Sequence, residues 1–273
     1  MSAAVDLLLV AEATAREAGA LLLEGQRETV EVAETKSSPT DVVTAVDVAS
    51  EELIRERILS QRPGDGFVGE EGDDRPSSSG VTWIADPIDG TVNYLYGIAQ
   101  FAVSIAASFE GMVVAGVVHN PVSGETFTAA LGEGARLDGR PIAVGACTDV
   151  SQALVGTGYS YLADVRAQQA VETSRLLPVV RDIRRIGSAA LDLCFVACGR
   201  YDAYVERGLK PWDLAAGGLV VTEAGGRVEG LRGTEAGERI VTAASAQLYD
   251  AFHERLLGAG FADWPLPDWP APR

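Results

Sequence analysis

The run Trp83-Ile-Ala-Asp-Pro-Ile-Asp-Gly-Thr-Val-Asn93 constrains this chain more than any other stretch. Residues 81–85 are mostly apolar and read as a buried strand. The strand ends in Asp86. Pro87 fixes φ and has no N–H, so pairing is expected to stop there. Asp89, Gly90 and Thr91 follow. Two carboxylates at a strand end repel each other in a partly dry site, and a cation removes that cost. Oxygen-only ligands favour a hard ion such as Mg²⁺, which keeps waters and takes phosphate oxygens into its shell. Gly90 and Thr91 can present backbone N–H groups and a hydroxyl to an anion. The stretch therefore reads as a metal-and-phosphate site. It also reads as a strand-to-turn corner in which Asp caps and Gly turns.

Other stretches bear on that choice. Gly69-Glu-Glu-Gly72 lies upstream, and Trp212-Asp-Leu-Ala-Ala-Gly217 lies far downstream. Lys36 and Thr40-Asp-Val-Val-Thr-Ala-Val-Asp47 come earlier, and Gly187-Ser-Ala-Ala190 stands between. With Asp86-Pro-Ile-Asp-Gly-Thr91, these resemble the signature segments of the inositol monophosphatase family, in family order. The likeness runs from about Val5 to about Leu257 and points to the family's bacterial, SuhB-like branch.

The resemblance implies an α/β (α+β) fold, a layered αβαβα sandwich with an antiparallel sheet first and a mixed sheet second. It implies a Mg²⁺-dependent phosphomonoesterase that hydrolyses myo-inositol 1-phosphate with metal-activated water, using two to three ions per subunit. In that pattern Glu70, Asp86 and the Ile88 carbonyl would hold one ion. Asp86, Asp89 and Asp213 would hold a second, and a third, weaker ion would lie near Glu70. Thr91 and Asp47 would orient the water, with Glu71 close by. The N–H groups of Gly90 and Thr91 would take phosphate oxygens. Asp89, Gly187, Ser188, Ala189, Glu206 and Asp213 would meet substrate hydroxyls. Homodimerisation and inhibition by Li⁺ belong to the same pattern. Asp47 also reads simply as a helix N-terminal residue, and Glu206 as a surface charge. The chain departs from the family at Val92, where Thr is usual, at Tyr94, where Phe is usual, and at Lys210-Pro211. Fructose-1,6-bisphosphate, histidinol phosphate and 3′-phosphoadenosine 5′-phosphate are alternative substrates. A regulatory, protein-binding role like that of some SuhB-like members is an alternative of another class.

The chain's 273 residues suit one large domain or two intimately packed halves, here 1–145 and 146–262, with a Pro-rich tail at 263–273. A formal charge of −17 argues against nucleic-acid and anionic-membrane partners. Such acidity also repels phosphate esters, so a phosphatase here needs local cations: metals, and Lys36, Arg184 and Arg185. Cys147, Cys194 and Cys198 cannot all pair, and their spacing with His119 and His253 fits no zinc template. No signal peptide or membrane-spanning run is visible, so the cytoplasm is expected.

Periodicity predicts a helix over 5–24, with Val5, Leu8, Ala11, Ala15, Ala18 and Leu22 on its buried face. A polar loop is expected over 31–41. A second helix follows over 47–60, striped by Ala49, Leu53, Ile54 and Ile58. A strand at 66–69 should send Glu70 and Glu71 to opposite sides. A meander follows at 101–107, 112–119 and 126–130. His119 reads as structural. The second half alternates a strand at 153–158, a helix at 163–177, a basic strand within 179–187, a buried helix at 188–198 and a strand at 201–206. A helix at 214–223, a strand at 239–243 and a helix at 246–257 complete it. Cys194 to Arg200 matches the Cys-x5-Arg pattern of cysteine phosphatases. It lies inside an apolar helical run, where a thiol stays protonated, so it reads as coincidence.

Overall fold

The computed structural model describes residues 3–27, 32–36 and 42–262. Helix α1 (Ala3–Gly25) is followed by a small hairpin, β1 (Val32–Thr35) and β2 (Val42–Thr44), and by α2 (Ala45–Gln61). Strand β3 (Gly66–Gly69), β4 (Val81–Asp89) and the short α3 (Thr91–Leu95) lead into the meander. That meander is β5 (Ala102–Phe109), β6 (Met112–His119), β7 (Thr126–Ala130), β8 (Ala135–Leu137) and β9 (Arg140–Pro141). The remainder is β10 (Leu154–Thr157), α4 (Ala163–Leu176), β11 (Asp182–Arg184), α5 (Ala189–Ala197) and β12 (Ala203–Glu206). After these come α6 (Pro211–Glu223), β13 (Gly226–Glu229), β14 (Val241–Ser245) and α7 (Ala246–Ala259).

Apart from the β1–β2 hairpin, the described strands form two sheets in layers. The first runs β3-β4-β5-β6-β7-β8-β9, antiparallel except at β3–β4. The second runs β11-β10-β12-β14-β13, parallel at β11–β10–β12 and antiparallel beyond. Helices α1 and α2 cover one face of the first sheet. Helices α5 and α6 fill the space between the sheets, and α4 and α7 lie outside the second. Each interface has its own core: Ile54 and Trp83 in the first, Leu193 and Val220 in the middle, Val205 and Phe252 in the last. Burying one such side chain stabilises by roughly 1.5–3 kcal/mol. This is the expected αβαβα sandwich. Among the described residues no helix is long and apolar enough to cross a membrane.

Close approach of the layers rests on small residues. A Cβ on Gly19 of α1 would meet the His119 ring at 2.7 Å, and a Cβ on Gly116 of β6 would meet the Ala216 backbone of α6 at 3.0 Å. His119 is buried and shares a 2.9 Å hydrogen bond between Nδ1 and Thr126 Oγ1, a structural role as expected.

Several expectations need correction. Helix α1 buries Leu7 rather than Leu8, and α2 leaves Ala49 exposed while burying Asp47, Ser50 and Glu51 against the site. Residues 32–35, expected in a loop, are strand. Positions 28–31 and 37–41 and the tail 263–273 lie outside the described residues. Strands β8, β9 and β13 and helix α3 stand where no element was expected. The basic strand shrinks to Asp182–Arg184.

The correction that matters most is in β4, which continues through Pro87 to Asp89. Strand β3 pairs with it only as far as Ala85, so Pro87 faces no partner on that side. On the other side the register with β5 slips between Asp86–Ser104 and Asp89–Ala102. Three steps on β4 match two on β5, a bulge, and bulges accommodate a residue without an N–H.

Candidate active site

Regular strand alternation would send residues 86 and 89 to opposite faces of the sheet. The β4 bulge brings both to one side. Oxygens of Asp86, Asp89 and Asp213 all lie within 4.8 Å of one another. Each carboxylate is held by its own local structure. Asp86 Oδ1 accepts from the Ile88 N–H at 2.9 Å. Asp89 accepts from the Ser188 hydroxyl at 2.6 Å and from the N–H groups of Ala189 and Ala190 at 3.2 and 2.7 Å. These donors are the start of α5, where Ser188 is the N-cap. Asp213 Oδ2 accepts the Lys210 N–H at 2.6 Å in the first turn of α6. Helix N-termini favour such negative charge.

A cavity of about 610 Å³ opens above them. Its walls come from the ends of β3, β4 and β12 and the starts of α5 and α6. Of the expected site residues it is lined by Glu70, Asp86, Ile88, Asp89, Gly90, Thr91, Gly187, Ser188, Ala189, Glu206 and Asp213. Asp47 and Glu71 stand behind that lining.

Burial dominates the electrostatics. It raises Asp86 well above the usual carboxylate range, reinforced by Glu70, Asp89 and Asp213. Asp213 is raised likewise by burial and by Asp89 and Glu70. Asp89 is pushed up to about 6 by burial, against the pull of its three hydrogen bonds. So many buried carboxyls are unfavourable as anions without positive charge. The donors are all oxygen, with no thiolate or imidazole among them, and so fit a hard divalent cation such as Mg²⁺.

Glu70 and Glu71 do not diverge as expected. They follow β3 in a bend rather than extended chain, and both take the Lys36 ammonium, at 2.7 and 2.8 Å. Asp47 is the third residue of α2. It accepts the Thr44 N–H and hydroxyl at 2.7 and 2.6 Å, in a reciprocal cap. Its other oxygen lies 3.1 Å from the Thr91 hydroxyl, which is also 3.1 Å from the Ile88 carbonyl. Burial pushes Asp47 up to about 6.

On the opposite wall two glycine turns meet. Gly90 and Gly187 have φ of 101° and 87°, where a side chain is strained, and a Cβ on Gly90 would lie 3.1 Å from the Gly187 carbonyl. Asn93 ties the turns together, donating to the carbonyls of Gln100 at 2.6 Å and Ile186 at 2.7 Å. Sequence reasoning gave Asn93 no role; a polar residue closing a metal-ligand turn is a usable signal. Glu206 is not a bare surface charge. It accepts the Tyr204 hydroxyl at 2.5 Å, its carboxylate fills the space a Gly158 side chain would need, and burial pushes it up to about 7.

Residues 4–259 match the inositol monophosphatase family. The chain belongs to that family. It is a phosphatase. It is 48% identical over 227 residues to an inositol-1-monophosphatase of Mycobacterium leprae, covering 79% of this chain and 78% of the relative. It is 40% identical to a Nus factor SuhB of Pasteurella multocida, covering 81% and 84%. The crystal structure of the extragenic suppressor protein suhB from Bartonella henselae superposes with a TM-score of 0.87 at 35% identity, covering 92% of this chain and 98% of that one.

For a phosphatase of this family the Cys-x5-Arg match carries no chemistry. Cys194 is fully buried mid-helix in α5, and its thiol is raised well above its usual range. Cys194→Ser should retain at least about half the wild-type kcat/KM, since no polar contact to the cavity is lost. Loss of activity with intact near-UV circular dichroism would make the thiol the nucleophile after all.

Proposed function

We propose that this phosphatase is a Mg²⁺-dependent phosphomonoesterase acting on inositol monophosphate, releasing myo-inositol and phosphate from myo-inositol 1-phosphate. The observation that carries the reading is the convergence of Asp86, Asp89 and Asp213 within 4.8 Å at the floor of a cavity. The cavity's size is in the range of small-molecule sites, and the name of the Mycobacterium leprae relative favours this substrate.

Glu70, Asp86 and the Ile88 carbonyl would hold one ion, Asp86, Asp89 and Asp213 a second, and Glu70 a third, weaker one. Bound divalent ions supply positive charge for developing oxyanions and acidity for a water. The chain supplies position. Thr91, donating its proton to Asp47, turns an oxygen lone pair outward to accept from the attacking water. Glu71, shared with Glu70 on Lys36, lies just behind. The N–H groups of Gly90 and Thr91 stand at the open start of α3, where no intrahelical partner exists, and would take phosphate oxygens. Gly187, Ser188 and Ala189 shape the far wall, and Glu206 accepts hydrogen bonds from substrate hydroxyls. A cytoplasmic location accords with three free thiols. Homodimerisation and Li⁺ inhibition go with the same reading.

The test is phosphate release from myo-inositol 1-phosphate with and without Mg²⁺, beside fructose-1,6-bisphosphate, histidinol phosphate and 3′-phosphoadenosine 5′-phosphate. Mg²⁺-dependent turnover led by inositol phosphate is expected. If another ester led, the substrate would be wrong and the chemistry right. If nothing turned over in folded, metal-loaded protein, a regulatory protein-binding role would lead. The Pasteurella multocida relative's name favours that second reading.

A further inference from the structure

Four cationic side chains line the cavity. Three are committed. Lys36 holds Glu70 and Glu71, Arg207 pairs with Glu172 at 3.1 Å, and Lys210 pairs with Glu238 at 2.6 Å. Arg185 is the fourth. Among the described residues its guanidinium has no carboxylate within 4.0 Å and no hydrogen bond. It is held over the Gly187 turn, where a Cβ on that glycine would lie 2.5 Å from Arg185 Nη1. A side chain at 187 would displace it, so the left-handed glycine both makes the turn and leaves room for the guanidinium.

Arg185 and Glu206 line the same cavity with no ion pair within 4.0 Å between them, yet the guanidinium's charge bears on the Glu206 carboxyl. The Tyr204 hydroxyl holds Glu206, whose carboxylate occupies the space a side chain at Gly158 would need. A group entering that gap must accept from a guanidinium on one side and donate to a carboxylate on the other. A hydroxyl does both at once. A second phosphate would satisfy Arg185 but meet the negative charge of Glu206 and of Asp89, which line the same cavity.

We infer that Arg185 is a specificity-determining residue that, opposite Glu206, reads hydroxyls on the leaving group and selects neutral polyol monophosphates over esters bearing a second phosphate. The inference rests on the proposed phosphatase reading. Its discriminating device is the donor–acceptor gap itself. The planar fork of Arg185 can bind adjacent hydroxyl oxygens, which an ammonium at the same place does less well.

The experiment compares wild type, Arg185→Gln, Arg185→Lys, Glu206→Gln and the double variant Arg185→Gln/Glu206→Gln. All are loaded with Mg²⁺ and assayed on myo-inositol 1-phosphate, phenyl phosphate and fructose-1,6-bisphosphate. In Arg185→Gln the kcat/KM ratio of inositol phosphate to phenyl phosphate falls about tenfold or more, mainly through KM, as expected for one lost charge-assisted hydrogen bond. Arg185→Lys recovers part of it. The double variant loses less than the product of the two single losses, because both groups hold the same hydroxyls. An inositol-to-phenyl ratio within about twofold of wild type would make Arg185 a bystander. A larger loss on fructose-1,6-bisphosphate than on inositol phosphate would show that it reads a second phosphate instead. Either result overturns the inference while wild type remains active. A wild type inert on all three esters would overturn the phosphatase reading and this inference with it.

Discussion

Asp86→Asn is expected to cost about 10²–10³-fold in kcat/KM and to abolish the rise in Tm that Mg²⁺ gives the wild type. It should not destabilise the metal-free protein at neutral pH. The rate loss follows if one ion is displaced, because a Lewis-acid ion is worth several kcal/mol in the transition state and 1.36 kcal/mol is a factor of ten. The stability effect has the opposite origin. Asp86 is 1% exposed and is raised by burial and by Glu70, Asp89 and Asp213. A carboxyl whose folded pKa exceeds its unfolded value binds protons more tightly in the folded state. Its favourable contribution is therefore full below the unfolded value and lost as pH rises through the folded one. Asp89, pushed up to about 6, and Asp86 and Asp213, pushed well above the usual range, all act in this direction. The chelated wild type should lose stability as pH rises above the ordinary carboxylate range and through about 6, the value to which Asp89 is pushed, and Mg²⁺ should reverse that slope by binding the deprotonated carboxylates. At a hundredfold excess over Kd the ion adds about 2.7 kcal/mol. Asn at 86 removes one of the repelling charges and, on the proposed reading, a carboxylate that would hold the ion. Differential scanning fluorimetry with EDTA or Mg²⁺ across this pH range checks all of it. An Asp86→Asn protein showing the wild-type Mg²⁺ shift would remove Asp86 from the metal site.

The layers and the site differ in how far the sequence shows them. Apolar runs in β5 and β6 and the helical spacing of Ala11, Ala15, Ala18 and Leu22 are local patterns, so the sandwich was legible from them and from the family's segment order. The β4 bulge was not, because Pro87 alone argues for a strand end. Only the slip against β5, between Asp86–Ser104 and Asp89–Ala102, shows that the strand resumes. The burial of Asp47, Ser50 and Glu51 on α2 was equally hidden. A helical stripe is normally read from apolar residues, and here it is polar because that face looks onto the site. Lys36 bridging Glu70 and Glu71 contradicts the alternation expected of extended chain, since the backbone bends directly after β3. Thus the polar side chains that the pattern misplaced lie at the site, where chemistry, not core packing, governs side-chain direction. Asn93 went unassigned, and Arg185 was read only as a local cation, for a related reason: each acts on another segment, Asn93 on the Ile186 carbonyl and Arg185 toward Glu206, and no spacing within one segment can show that.

Thr91→Val should lower kcat about 10²-fold with little change in KM, whereas Thr91→Ser should stay within a few-fold of wild type. The hydroxyl is the feature at issue. In the folded protein it lies 3.1 Å from both Asp47 Oδ1 and the Ile88 carbonyl, and it has one proton to give. When the proton goes to Asp47, a lone pair is left facing the cavity to accept from water. When Asp47 is protonated, that preference is lost. The Asp47 carboxyl is pushed up to about 6 by burial, against the hydrogen bonds from Thr44. The carboxylate form therefore predominates above that pH, and kcat should fall as pH drops through about 6. Valine preserves the shape of the side chain, so the start of α3 and the capped end of α2 stay in place and substrate binding is spared. A kcat loss without a KM change separates orientation of the nucleophile from binding, because uniform binding would move KM instead. Asp47→Asn offers the companion measurement. Its amide can still accept from Thr91 but no longer titrates, so the acid limb near pH 6 should vanish from whatever kcat remains. If that limb persisted unchanged in Asp47→Asn, Asp47 would not be the group that titrates. If Thr91→Val kept wild-type kcat, the water would be oriented by other groups, and Glu71, behind Glu70 on the same Lys36, would be the next to replace.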